Sequence, residues 1–161
     1  MKLTDVSINR FNAMANKEKN FEDQLNRLIA RNFDTAEGYA SAVKKVNDPL
    51  IADVLKKNRE MHHAMCYDLV GELLDNNCEV NMRSTFLGEL HHKWMIFLNR
   101  ITSHSYSAIL AESYAAERVI LKDYEYVLKS TEMSPMTKHI LEKHISQLES
   151  IVRTTKVKVA A

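Results

Sequence analysis

Glycine and proline are scarce in this sequence of 161 residues, which contains three glycines and two prolines. Because the turns between short strands depend on these residue types, their scarcity argues against many short strands and favours a few long elements. No apolar run is long enough to cross a bilayer, and no long basic run is present. We therefore expect neither a membrane nor a nucleic acid as a partner.

Cysteine is equally rare, and Cys66 and Cys78 lack the spacing of a zinc site. We expect two reduced thiols, as is usual for a cytosolic protein. The first twenty residues carry polar side chains such as Asp5 and Arg10, where a signal peptide would be apolar. The expected location is therefore cytoplasmic. The formal net charge is +1, and 45% of the residues are hydrophobic, which is ordinary for one globular domain.

Each proline follows a residue that caps helices, in the pairs Asp48-Pro49 and Ser134-Pro135. Proline is tolerated at the first helical position because its missing N–H would have no helical partner there. Asp and Ser accept hydrogen bonds from the next free N–H groups. Stretches with helical spacing run up to each proline and away from it. The sequence therefore predicts two antiparallel helical hairpins, with turns at 47–49 and 133–135.

Five segments have one apolar stripe and one charged face, as bundle helices do. The predicted helices run from about Asn20 to Lys45, Pro49 to Asp75, Ser84 to Ile101, Ser105 to Lys129, and Pro135 to Thr155. We predict an all-α fold, a ferritin-like four-helix bundle with an additional helix in the connection between its second and third helices. Residues 1–18 lack a clean stripe. We expect them to form an N-terminal arm, either a mobile arm or an association helix, ahead of a single bundle domain at 19–161.

Several short stretches are similar to a bacterial, ferritin-like four-helix-bundle family known as a domain of unknown function, of the 2383 type. The similar stretches are Asp34 to Tyr39, Asn47 to Pro49, Leu90 to Trp94, and Ile109 to Glu125 with Glu117 and Tyr124 at matching places. The resemblance covers about Asn20 to Thr155. It implies the fold, a bacterial cytoplasmic setting and an ancestry in which carboxylates and histidines hold metals inside the bundle. It implies no established activity.

A di-iron bundle requires two Glu-x-x-His motifs and two further glutamates, all pointing inward. The literal motif here is Glu60 with His63, and at 100° per residue both lie roughly opposite the apolar face of their helix. The last predicted helix offers Glu149 at the corresponding place without a histidine. We therefore predict that Glu60 and His63 face water and that a standard six-ligand di-iron centre is not formed.

Other polar residues do fall on apolar stripes, namely His62, Glu117, His144 and His91. Because burying such groups unpaired is costly, we expect them to meet partners inside the bundle. Two imidazoles and a carboxylate suit a single transition metal ion, iron or zinc. The alternative is a hydrogen-bonded polar layer in which Glu117 accepts from a histidine or from a tyrosine such as Tyr114 or Tyr124.

Glu37 precedes Gly38 within the first predicted helix and lies at the edge of its apolar face. It would reach inward as a metal ligand only if the helix were distorted at the glycine; otherwise it is a solvated carboxylate.

Three functions remain open at this point. The first is a ferritin-like cytoplasmic protein with a metal site in the bundle and a stress-related role, inferred by analogy of fold. The second is a metal-free interaction or scaffold protein that forms a homodimer through a helix face. The third is a redox enzyme with a degenerate di-iron centre. No catalytic motif in the sequence decides whether the protein is an enzyme.

Overall fold

The computed structural model describes residues 2–81 and 106–160, with side chains for 6–81 and 107–155. It contains four helices: α1 at Lys2–Val43, α2 at Pro49–Asp75, α3 at Tyr106–Ser130 and α4 at Pro135–Ala160. These residues include no strand, which confirms the all-α prediction. The additional helix that the sequence predicts at 84–101 lies outside the described residues. No helix in the described ranges is long and apolar enough to span a membrane.

Both proline turns occur where the sequence predicts them. Asp48 has an extended backbone, and its carboxylate accepts from the backbone N–H groups of Leu50 at 2.8 Å and Ile51 at 3.3 Å. At the second turn, the Ser134 hydroxyl accepts from the backbone N–H of Thr137 at 3.1 Å. Each cap thus satisfies N–H groups that have no partner within the helix, and each proline occupies the first helical position.

Asn77 ends α2 by taking the left-handed backbone conformation, with φ at 54°. The N–H of Cys78 then bonds the carbonyl of Leu73 at 2.8 Å, and the N–H of Asn77 bonds that of Leu74 at 3.0 Å. These two bonds form a Schellman motif, in which asparagine takes the place usually held by glycine. The chain leaves α2 alongside α1, because Glu22 and Asn26 bond the backbone of residues 79 and 81.

The core follows a spacing of alternately three and four residues on every helix. The buried positions with this spacing are 21, 25, 28, 32, 35, 39 and 42 on α1; 51, 55, 58, 62, 65, 69 and 72 on α2; 113, 117, 120, 124 and 127 on α3, with 131 just beyond its end; and 137, 141, 144, 148 and 155 on α4. This is the spacing of coiled-coil-like bundles, in which neighbouring helices cross at about 20°. We call this row of positions on each helix its seam.

Each hairpin pairs closely, α1 with α2 and α3 with α4, and polar side chains connect the two hairpins. Arg27 and Arg31 of α1 form ion pairs with the two carboxylate oxygens of Asp123 on α3, at 3.2 and 3.0 Å. Thr137 of α4 donates to the buried carboxylate of Glu72 on α2 at 2.6 Å. The described helices therefore form a bundle whose two hairpins are fixed relative to each other.

The first helix differs most from its prediction. It begins at Lys2, so the predicted start near Asn20 is wrong, and the segment ahead of the bundle is helical. Every residue from Val6 to Asn20 is exposed, and burial begins at Phe21. The pattern placed the start of this helix too late because periodicity detects helices through their buried stripe, and here the helix extends past the residues that pack against it. We call residues 2–20 the α1 extension.

Candidate functional site

The polar interior of the bundle is centred on His62 of α2 and Glu117 of α3, which are both fully buried, with 0% exposure. The Nε2 atom of His62 lies 3.1 Å from one carboxylate oxygen of Glu117 and 3.2 Å from the other. The Nδ1 atom of the same ring lies 2.8 Å from Oδ1 of Asn32 on α1. One imidazole thus joins three helices, and both of its nitrogens have a partner.

Asn32 determines which ring nitrogen carries a proton. Its amide nitrogen donates to the backbone carbonyl of Leu28 at 2.8 Å and to the hydroxyl of Tyr124 at 2.7 Å. Since a carbonyl can only accept, the amide oxygen is the atom that faces His62, and Nδ1 must be the donor. Nε2 is therefore the ring nitrogen that faces the carboxyl group of Glu117.

Tyr39 completes the centre from the opposite side. Its hydroxyl donates to Oε1 of Glu117 at 2.5 Å, which is the length of an O–H···O bond to a charged acceptor. Its ring stacks on the imidazole of His62, with 5.9 Å between the centroids. Burial raises the pKa of Tyr39 well above its ordinary value, and the neighbouring charge of Glu117 raises it further. The phenol therefore stays protonated and holds the carboxylate in place.

His144 of α4 belongs to a second polar group nearer the surface. Its Nε2 lies 2.9 Å from Oδ2 of Asp68 on α2, and its ring meets that of Tyr124 edge-on. Burial lowers the pKa of His144, although the carboxylate of Asp68 acts in the opposite direction. Burial also opposes ionisation of Asp68, but the bonds from His144 and Lys143 outweigh it and lower the pKa of that carboxyl. At neutral pH we therefore assign a neutral imidazole that donates to an ionised Asp68.

The remaining predicted ligands do not join these groups. Glu37 and Glu60 are exposed, and His63 is half-buried with its ring edge-on to Phe33, at 6.4 Å between centroids. This confirms that Glu60 and His63 are more exposed than His62. Glu37 stays outward because α1 continues through Gly38 without a distortion that would turn its carboxylate inward. His91 lies outside the described residues.

The fit of these side chains to a metal ion depends on how many of them converge on one point. Within residues 6–81 and 107–155, no group of three or more His, Cys, Asp or Glu side chains converges. Of the candidate ligands that the structure describes, it brings together His62 and Glu117. The hydroxyl oxygen of Tyr39 lies 2.5 Å from Oε1 of Glu117. Oxygen ligands from two different side chains on one metal ion, with bonds of about 2.1 Å, are normally nearly 3 Å apart, so Tyr39 is too close to Glu117 to serve as a third ligand at this position. The described part of the site therefore supplies two metal ligands and fits a hydrogen-bond network better.

Sequence reasoning missed Asn32, Tyr39 and Asp68, and expected the wrong tyrosine beside Glu117. Tyr124 bonds Asn32 instead, and Tyr114 is half-buried with Arg118 over its ring. Asn32 and Tyr39 both occupy seam positions of α1, three and four residues from Thr35 respectively. A search for polar residues at every seam position, and not for metal-binding residue types alone, would have found these two. Asp68 lies beside the seam of α2 and not on it, so a search of the seam positions would not have indicated its contact with His144.

Comparison with known protein families is consistent with this description. A model of the DUF2383 family, a domain of unknown function, matches residues 20–130. The chain belongs to the DUF2383 family. The matched range begins at the last residue of the α1 extension and includes Asn32, Tyr39, His62 and Glu117, whereas α4 with His144 follows it. No curated protein and no solved structure matches the chain.

Proposed function

We propose that this protein is a bacterial, cytoplasmic, ferritin-like bundle that acts as a metal-free interaction protein and forms a homodimer through the α1 extension. The bacterial assignment rests on the resemblance in the sequence. The ferritin-like assignment rests on that resemblance and on the order of the hairpins. One observation carries the proposal of self-association: the α1 seam continues beyond the bundle with apolar residues that are exposed to solvent.

The continuation is visible in the spacing. Counting back from Phe21 by the same alternation of three and four residues gives positions 18, 14, 11, 7 and 4. Two of these hold large apolar side chains, Met14 with 61% and Phe11 with 73% of their surface exposed, and the other three are Glu18, Ser7 and Thr4. Within the bundle every seam position of α1 is buried. When a helix extends beyond its own bundle and its seam keeps exposed apolar residues there, it typically pairs with another chain.

The composition of the extension supports the same conclusion. Asn9, Asn12 and Asn16 lie on its exposed surface, and asparagine is a weak helix former. Most of the stability of a helix in a protein comes from packing of its apolar face, and residues 6–20 of this helix are all exposed. The extension therefore gains stability if it packs against a second helix. A second copy of this chain supplies such a helix with an identical apolar row.

The buried polar centre supports a structural role for the interior. Both nitrogens of His62, both donors of Asn32 and the Tyr39 hydroxyl have partners. A fully paired network of this kind fixes the rotation and stagger of α1, α2 and α3, because any other register would leave polar groups unpaired. In this proposal the interior determines the shape of the bundle and the extension makes the contact with the partner.

Sedimentation velocity across a range of protein concentrations tests self-association. We expect a dimer whose dissociation constant rises at least tenfold in the double variant Phe11→Ser/Met14→Ser. Val6→Ser is the matched control, because Val6 is also exposed, at 51%, and lies off the seam. It should leave the dimer intact. A wild-type monomer at 100 μM, or equal weakening by Val6→Ser, would overturn the proposal.

A second candidate function is a metal-binding protein with a stress-related role, favoured by the orientation of His62. Its Nδ1–H donates to Asn32, and its Nε2 faces Glu117. A metal-bound histidine is usually oriented in the same way, by a hydrogen bond from the ring nitrogen that does not bind the metal. Iron or zinc held there would supply a Lewis acid. Elemental analysis of protein purified without an affinity tag separates the candidates. This candidate requires about one metal per chain that is lost in Glu117→Gln, whereas the leading proposal requires no stoichiometric metal in either protein.

A further inference from the structure

We draw no further inference here: the strongest candidate, the cluster of Asp68, Lys143 and His144 between α2 and α4, carries nothing beyond the stability of the bundle, because a role as an acid-sensitive switch would rest on the pKa of one buried imidazole alone.

Discussion

His62 and Glu117 meet in the centre of the bundle, with Nε2 of the imidazole 3.1 Å from Oε1 of the carboxylate and no solvent exposure of either residue. They lie on helices from different hairpins, α2 and α3, so their contact exists only when the hairpins dock. Asn32 and Tyr39 of α1 hold the two residues from the other sides. The pair is therefore a sensitive reporter of whether the bundle is correctly assembled.

Removing the carboxylate should strongly destabilise the protein. We expect Glu117→Ala to lower the free energy of unfolding by about 3–5 kcal/mol, because it leaves Nε2 of His62 and the hydroxyl of Tyr39 buried without their hydrogen-bond partner. Urea unfolding followed by circular dichroism measures the change. Glu60→Ala is the control, since Glu60 is exposed on α2, and it should change the stability by less than about 0.5 kcal/mol. A similar loss in both variants would contradict the buried network.

Stability should decrease in mild acid, partly through His144. Burial lowers the pKa of this imidazole in the folded state from its ordinary value of 6.5. As the pH falls through that value, the unfolded chain therefore takes up more protons than the folded protein, and the free energy of unfolding falls. We expect His144→Leu to show a smaller decrease between pH 7.5 and 5.5 than wild type, measured by urea unfolding at both values. Equal decreases would contradict the assignment of a buried neutral imidazole.

The cap at the first turn should contribute measurably to stability. The Asp48 carboxylate accepts from two backbone N–H groups, and we expect Asp48→Ala to lower the free energy of unfolding by about 1 kcal/mol. Asp48→Asn should retain most of the stability, because the amide oxygen accepts the same bonds. Thermal and urea unfolding of the three proteins checks this. An equal loss in both variants would show that charge, and not the hydrogen bonds, is responsible.

The two thiols should differ in reactivity. Burial raises the pKa of Cys66 to about 12, and its thiol donates weakly to the carbonyl of Ile29. Cys78 is half-buried on the segment that follows α2, and burial raises its pKa less. Since the thiolate is the reactive form, a thiol reagent at pH 8 should label one cysteine in the native protein and the second only on unfolding. Cys78→Ser should abolish the labelling of the native protein. Rapid labelling that persists in this variant would contradict the burial of Cys66.

Much of the fold could be predicted from local sequence signals. The pairs Asp48-Pro49 and Ser134-Pro135 indicated both turns, because capping and the missing proline N–H act within a few residues. Helical spacing gave the extents of α2 and α3 to within one residue. The start of α1 could not be predicted in this way, since the residues before Phe21 are exposed and no buried stripe marks the helix.

The sequence by itself determined that His62, Glu117 and His144 are buried, because the position of each on an apolar stripe depends only on 100° per residue along one helix. Only the tertiary structure decided which of them meet. Contact between residues of different helices depends on how those helices are rotated and staggered, and that is determined by the packing of all the seams together. Hence His62 and Glu117 form one pair, His144 binds Asp68, and Tyr39 takes the place expected for another tyrosine.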